Sequence, residues 1–273
     1  MRIRVVISVV CLMILAALPA EAQYGAKGPS DRATGENYHF EFGGYFWNPT
    51  PTIFITSEGL TQARLGTKID FVNDLGIEKS RFTQIKAVLR PGKKHKFRFE
   101  YTPISYEQPN GVLRRNIVFN GIIYNLALPI STQLKWKAYR FIYEWDMIYR
   151  DRGFFGILLE AKYTDVEATL INALDTEFVR ARAPIPSIGA IGRVYVVPNI
   201  SITGELSGFK LPDSINEDYR GKYIDFDLYG TVNFTHHFGA QVGYRSFDVT
   251  YKVEEDEGTL KLKGPYLGGV VRF

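Results

Sequence analysis

Apolar and polar residues alternate along most of this chain with a period of two. In KFRFEYT, residues 96–102, Phe97, Phe99 and Tyr101 fall on one side, with Lys96, Arg98, Glu100 and Thr102 on the other. Such alternation is the mark of a strand with two unlike faces. It returns in YRFIYEWDMIY, where Tyr139, Phe141, Tyr143, Trp145, Met147 and Tyr149 oppose Arg140, Glu144 and Asp146. It recurs in ISITGELSG (Ile200, Ile202, Leu206 against Ser201, Thr203, Glu205, Ser207), in YIDFDLYGTVNF and in FGAQVGYR. A train of long strands with aromatics on one face and charges on the other predicts a membrane barrel with a lipid-facing outside and a polar interior.

Turn chemistry divides the train. PGKKH (91–95), RDR (150–152), PN (198–199) and THH (235–237) are short, turn-forming or polar connections. The others, near 49–80, 107–133, 167–186, 211–219 and 253–259, are longer. Outer-membrane barrels have short periplasmic turns and longer outside loops, so the short set is expected in the periplasm. The predicted strands are 38–48, 81–90, 96–106, 134–149, 153–166, 187–197, 200–210, 220–234, 238–252 and 260–273. The fold expected is all-β: a transmembrane antiparallel up-and-down barrel of about ten strands, within a range of eight to twelve. ARLGTKIDF (63–71) and RRNIVFNGIIY (114–124) also read as strands and are assigned to hairpins or extensions above the membrane.

The first 22 residues read as a cleaved targeting segment: Arg2 and Arg4, an apolar run from Val5 to Leu18, and Ala20-Glu21-Ala22 before Gln23. Residues 23–37 are expected as a periplasmic N-terminal segment and 38–273 as the barrel. No later run of 18 apolar residues could form a spanning helix. Cys11 lies within the targeting segment, so neither a disulfide scaffold nor a thiol nucleophile is expected. Removing Arg2, Arg4 and Glu21 from 33 basic and 29 acidic residues leaves 31 and 28, a net charge of +3. No basic cluster offers a footprint for nucleic acid. Aromatic content of 14%, with 17 Tyr and 19 Phe, suits strands and membrane interfaces.

The chain ends on an aromatic. Phe273, Val271 and Leu267 share a face with Gly269 between them, while Arg272 and Tyr266 point the other way. A terminal aromatic with apolar residues at alternate positions resembles the signal read by the barrel-assembly machinery of bacterial outer membranes. Pro265 cannot donate a ladder hydrogen bond, so a bulge or bend is expected there. From about residue 37 onward the chain resembles the small OmpA-like and OmpW-like outer-membrane barrels, and GTKIDFVNDLGI (66–77) is similar to a segment of porin-like families. The resemblance implies architecture and an outer-membrane location; it carries no functional residue.

Most strand charges fall on the inward phase. The acidic set is Glu41, Glu100, Glu144, Asp146, Glu160, Glu205, Asp225 and Asp227; the basic set is Lys86, Arg98, Arg140, Lys162, Arg193 and Arg245. A balanced mixture can pair across strands, and an interior of this width can be filled by side chains. A mostly occluded lumen is therefore expected.

Catalysis needs a base beside a nucleophile or water, most often His. His95, His236 and His237 map to short turns and His39 to the inner half of the first strand. No catalytic residue, metal site or cofactor is expected. Glu254-Glu255-Asp256-Glu257 is expected as a solvated outer loop. The function expected is structural, surface-interacting or slowly permeating, in a monomer whose partners are outer-membrane lipid, lipopolysaccharide and the assembly machinery. The alternatives are a lipid-modifying hydrolase or acyltransferase, and a soluble exported β-barrel binding a hydrophobic ligand.

Overall fold

The computed structural model describes residues 33–56, 66–119, 122–125, 129–171, 176–211, 219–253 and 256–273; the expected targeting segment lies outside them. Fourteen strands are present among these residues: β1 (Phe40–Trp47), β2 (Thr50–Thr56), β3 (Ile69–Asp70), β4 (Phe82–Gly92), β5 (His95–Val112), β6 (Ile117–Phe119), β7 (Ile122–Tyr124), β8 (Pro129–Arg150), β9 (Gly153–Ile171), β10 (Thr176–Val197), β11 (Ile200–Lys210), β12 (Tyr219–Asn233), β13 (Phe238–Val253) and β14 (Asp256–Arg272). Ten of them, β1, β4, β5 and β8 to β14, pair antiparallel in sequence order, and β1 closes on β14. This is an up-and-down barrel. The ring of paired residues that leaves Phe40 runs through Leu89, Phe97, Tyr143, Leu159, Ile188, Gly208, Ile224, Asp248 and Lys261, and returns to the first wall segment at Thr52, twelve residues further along. With strands ~4.8 Å apart and ~3.3 Å per residue, that offset tilts the strands by about 40°.

Phe273 takes part in the seam. Phe273 donates its N–H to the Phe40 carbonyl at 2.8 Å, and its own carbonyl accepts from His39 and Phe40 at 2.7 and 3.0 Å. These bonds extend the β1–β14 ladder one step beyond its Glu41–Arg272 pair. The bulge expected at Pro265 is absent: β14 is continuous and pairs Pro265 with Tyr244 in register. The interruption lies across the seam instead, at Asn48-Pro49 between β1 and β2. Asn48 donates to the Pro265 carbonyl at 3.0 Å, but Pro265 has no N–H to return. Gly264 lets the two backbones meet there, since a Cβ would lie 2.4 Å from the Asn48 carbonyl oxygen.

Alternation sorts the side chains. Phe42, Phe46, Phe97, Phe141, Leu159, Leu206, Val242 and Leu267 face outward, about half exposed. Arg98, Glu100, Arg140, Glu144, Glu205 and Arg245 face inward and are buried. On β8 the expected phase breaks: the register with β9 shifts between Trp145 and Ile148. Ile148 therefore faces out, while Tyr149 turns inward and stacks on Phe154. A bulge inserts one residue and reverses the faces beyond it. Above the charged level the interior becomes apolar, with Ile104, Tyr106, Leu134, Trp136, Phe247 and Leu260 in one cluster. The segments read as hairpins above the membrane are β3 with its following turn, and the β6–β7 hairpin. They add Ile69, Phe71, Leu75, Ile117, Phe119 and Tyr124 to this cluster. Of the acidic run, Asp256 and Glu257 extend β14; Glu254 and Glu255 lie outside the described residues.

Candidate functional site: the charged interior

The inward phase of five strands converges on Arg140. This guanidinium donates to Glu100 at 3.1 Å, to Glu205 at 2.6 Å and to Glu160, with Asp225 at 3.8 Å. Arg98 shares two of those carboxylates: it reaches Glu100 at 3.0 Å, Glu205 at 2.7 Å and Glu144 at 2.9 Å. Lys96 lies 2.5 Å from Glu144 and 2.9 Å from Asp146. Lys162 lies 2.7 Å from Glu160 and donates to Ser207 at 3.0 Å. Arg245 makes a forked contact with Asp225, at 3.0 and 2.7 Å, and Lys86 lies 3.6 Å from Glu100. Six cations thus face six carboxylates. Such mutual satisfaction is what lets charges persist in a confined space, because each alone would lose its hydration without replacement.

Three residues expected in this set stand apart, one of them Glu41, which pairs with Arg272. Asp227 accepts from the Tyr266 hydroxyl at 3.0 and 3.1 Å and takes no cation among the described residues. Arg193 belongs to a second cluster at the short-turn end. There Glu36 accepts from Arg193 and Tyr195, both at 2.7 Å, and lies 3.5 Å from Arg90. Glu36 comes from the segment set apart as periplasmic. Residues 33–37 instead belong to the compact barrel unit, which begins at Ala33. Thr34 donates to the Pro198 carbonyl, and its carbonyl accepts from Asn233, both at 2.7 Å. Gly35 has φ +86°, and a Cβ there would sit 2.8 Å from Arg272 Nη1. Arg272 in turn bonds Glu41 at 2.5 Å and Asn233 at 2.8 Å. The segment enters this mouth because the inward arginines there need a carboxylate.

Glu36, Arg90, Lys96 and Arg272 are the charges sequence reasoning left out of the network. Lys96 and Arg272 were legible from phase alone. Arg90 shares the inward phase of Val88 but sits beside a turn, where phase is hard to assign. Glu36 lies in no strand, so no period marks it.

The interior is closed above as well. Trp136 packs on Phe247 with ring centroids 5.0 Å apart, and Phe247 on Tyr223 at 5.1 Å. Lys162 Nζ lies 3.5 Å from the Tyr223 ring centroid, joining the charged and apolar layers. At the loop end, Asp74 is gripped by Arg115 at 2.9 and 2.7 Å and by the Asp70 backbone N–H at 2.9 Å. Burial raises the Asp74 carboxyl, but these donors outweigh it and hold the group below its ordinary value.

On the outer face, Tyr101, Tyr139 and Tyr163 form one row, with centroids 4.8 and 6.3 Å apart. The next rows are Lys137, Asp165, Arg182 and then Lys135, Glu167, Arg180. Arg180 forks onto Asp165 at 2.8 and 2.6 Å. Leu267 and Phe273 of the terminal strand are about half and two-thirds exposed on the outward face, with Val271 between them in phase.

The four histidines lie at the short-turn end. His39 donates to the Arg90 carbonyl and His237 to the Arg272 carbonyl, at 3.2 and 3.0 Å. His95 shares a hydrogen bond with Tyr143 at 2.8 Å, and His236 accepts weakly from Gly35 at 3.5 Å.

No family model and no curated protein matches this chain. Among solved structures, the outer membrane protease OmpT from Escherichia coli aligns with a TM-score of 0.61 at 9% identity, covering 88% of this chain and 98% of that one. The fold is that of an outer-membrane β-barrel. Ail, the attachment invasion locus protein of Yersinia pestis, aligns at a TM-score of 0.40 and 10% identity, over 86% and 99% of the two chains. The Pseudomonas putida toluene transporter TodX aligns at 0.34 and 8%, over 86% and 90%. The OmpA-like and OmpW-like resemblance is met at the level of the outer-membrane barrel.

Proposed function

We propose that this chain is an integral outer-membrane barrel of the small OmpA-like or OmpW-like kind, monomeric, with a structural or surface-interaction role and only slow passage of small solutes. The observation that carries this is the filled interior: a mid-barrel network of six cations and six carboxylates, an apolar layer above it, and the Glu36 segment below. A diffusion pore needs continuous water, and a barrel of about this size holds little more than its side chains.

Export through a signal ending at Ala22 fits the outward apolar belt. The tyrosine row and the charged rows above it fit the interface with outer-membrane lipid and lipopolysaccharide, where Lys135, Lys137, Arg180 and Arg182 would meet phosphates. The outward face of Leu267, Val271 and Phe273 suits recognition by the assembly machinery. We take the protein to be no enzyme: its histidines sit at the short-turn end with backbone or ring partners. OmpT is a protease, but a shared fold does not carry a reaction.

The test is osmotic swelling of proteoliposomes. The wild type should swell in arabinose little faster than protein-free vesicles, and rapid swelling would overturn the proposal.

A further inference from the structure

The apolar layer of the upper barrel is not completely filled. A cavity of about 100 Å³ lies within it, walled by Ile53, Trp136, Val166, Ile185, Val249 and Leu260. Its charged edge is Arg182, already paired with Asp165 at 3.3 Å. Most of the wall is hydrocarbon, with Thr164, Tyr251 and Thr259 as its other polar residues, so it is a poor host for ordered water, which needs about three polar partners. The floor is closed by the Trp136, Phe247 and Tyr223 rings with Lys162 beneath them, so the space leads no further through the barrel.

Its level is informative. Thr164 lines the cavity, while its neighbour Tyr163 stands on the outer face at the top of the apolar belt. The cavity therefore lies at the depth where membrane hydrocarbon gives way to charged rows. On the Arg182 side, β10 pairs with β9 from Thr176 onward, but its pairing with β11 begins only at Ile188 among the described residues. Scaled from an apolar cavity of about 150 Å³ that holds benzene, the volume takes roughly three to four carbons.

We infer that this cavity binds the end of a saturated aliphatic chain, a segment of about three to four carbons, with Trp136 as one wall. The inference uses the occluded-barrel proposal only for its closed floor; swelling and conductance test that proposal, and the measurement below tests this site. The segment could come from a free small hydrocarbon or from the tail of a membrane lipid. The shared chemistry is an uncharged, unbranched chain end.

The probe is 1-bromobutane, whose bromine quenches indole fluorescence on contact. With the barrel folded into vesicles, the Trp136 signal is the difference between wild type and Trp136→Phe. It should be quenched saturably, and filling the space with Val166→Phe should lower the apparent affinity at least fivefold. Val249→Phe serves if Val166→Phe fails to fold, folding being read from heat-modifiable gel mobility. A second arm uses phospholipids brominated at the chain terminus. Quenching of Trp136 by these lipids assigns the site to a lipid tail; saturable quenching by bromobutane alone assigns it to a free hydrocarbon. Non-saturating quenching of equal size in wild type and the filled variant would overturn the inference.

Discussion

Arg140→Ala is the sharpest perturbation of the interior. Truncation removes donors to Glu100, Glu160 and Glu205 together. The three carboxylates are not left equal. Glu100 keeps Arg98 and Lys86, Glu205 keeps Arg98, and Glu160 keeps only Lys162. Breaking a buried pair from one side costs about 3–5 kcal/mol, because the remaining charge loses its partner without regaining water. Two of the three carboxylates retain an arginine here, which points to the lower end, about 3 kcal/mol. Were the interior freely hydrated, the same truncation would cost about 1 kcal/mol or less. The assay is reversible urea unfolding in vesicles, followed by tryptophan fluorescence. Arg140→Lys should recover part of the loss by restoring charge without the fork. Lys137→Ala, on the exposed face, should stay within about 0.5 kcal/mol of wild type. An Arg140→Ala loss no larger than that of Lys137→Ala would refute the interlocked network.

Four further expectations follow from the same geometry. The mature protein should begin at Gln23 and appear in outer-membrane fractions with heat-modifiable mobility, whereas recovery as a soluble periplasmic protein would refute the location. Deleting Phe273 removes three seam hydrogen bonds as well as the terminal aromatic, so pulse-chase assembly should slow severalfold; unchanged kinetics would contradict this. A protease site inserted after Asn216 should be cut on intact cells and one at Lys94 only after the outer membrane is breached, and the reverse would invert the strand directions. Because the folded Asp74 carboxyl is held below its ordinary value, its contribution is complete above the unfolded pKa and is lost as pH falls through the folded one. Cleavage within 66–77 of the folded barrel should therefore rise with acidification in wild type, and Asp74→Asn should show the elevated rate at every pH.

How much of this was legible beforehand depends on which force placed each residue. The wall was legible because one face meets apolar surroundings and the other a polar interior, so period two survives along Phe97–Tyr101 and Ile200–Leu206. It failed at Met147 and Tyr149, where a bulge reversed the faces and left no mark in composition. The Pro265 expectation located the right break in the ladder but the wrong strand, because the missing N–H disrupts the partner at Asn48-Pro49 rather than β14 itself. Charges on strands could be assigned to the interior by phase. Their pairing could not, because Arg98 meets Glu205 from 107 positions away, through barrel closure. The Glu36 segment and the apolar upper layer were not read from the pattern: one has no period, and the other depends on Phe71, Leu75 and Tyr124 folding back over the barrel.

The central claim is that the interior is filled, and single-channel recording in planar bilayers tests it most directly. Wild-type protein should insert and yet give little steady conductance in molar potassium chloride, while Arg140→Ala should open measurable, flickering current as the mid-barrel network loosens. Large steady conductance from the wild type, unchanged by Arg140→Ala, would contradict the account and make this barrel an open diffusion pore.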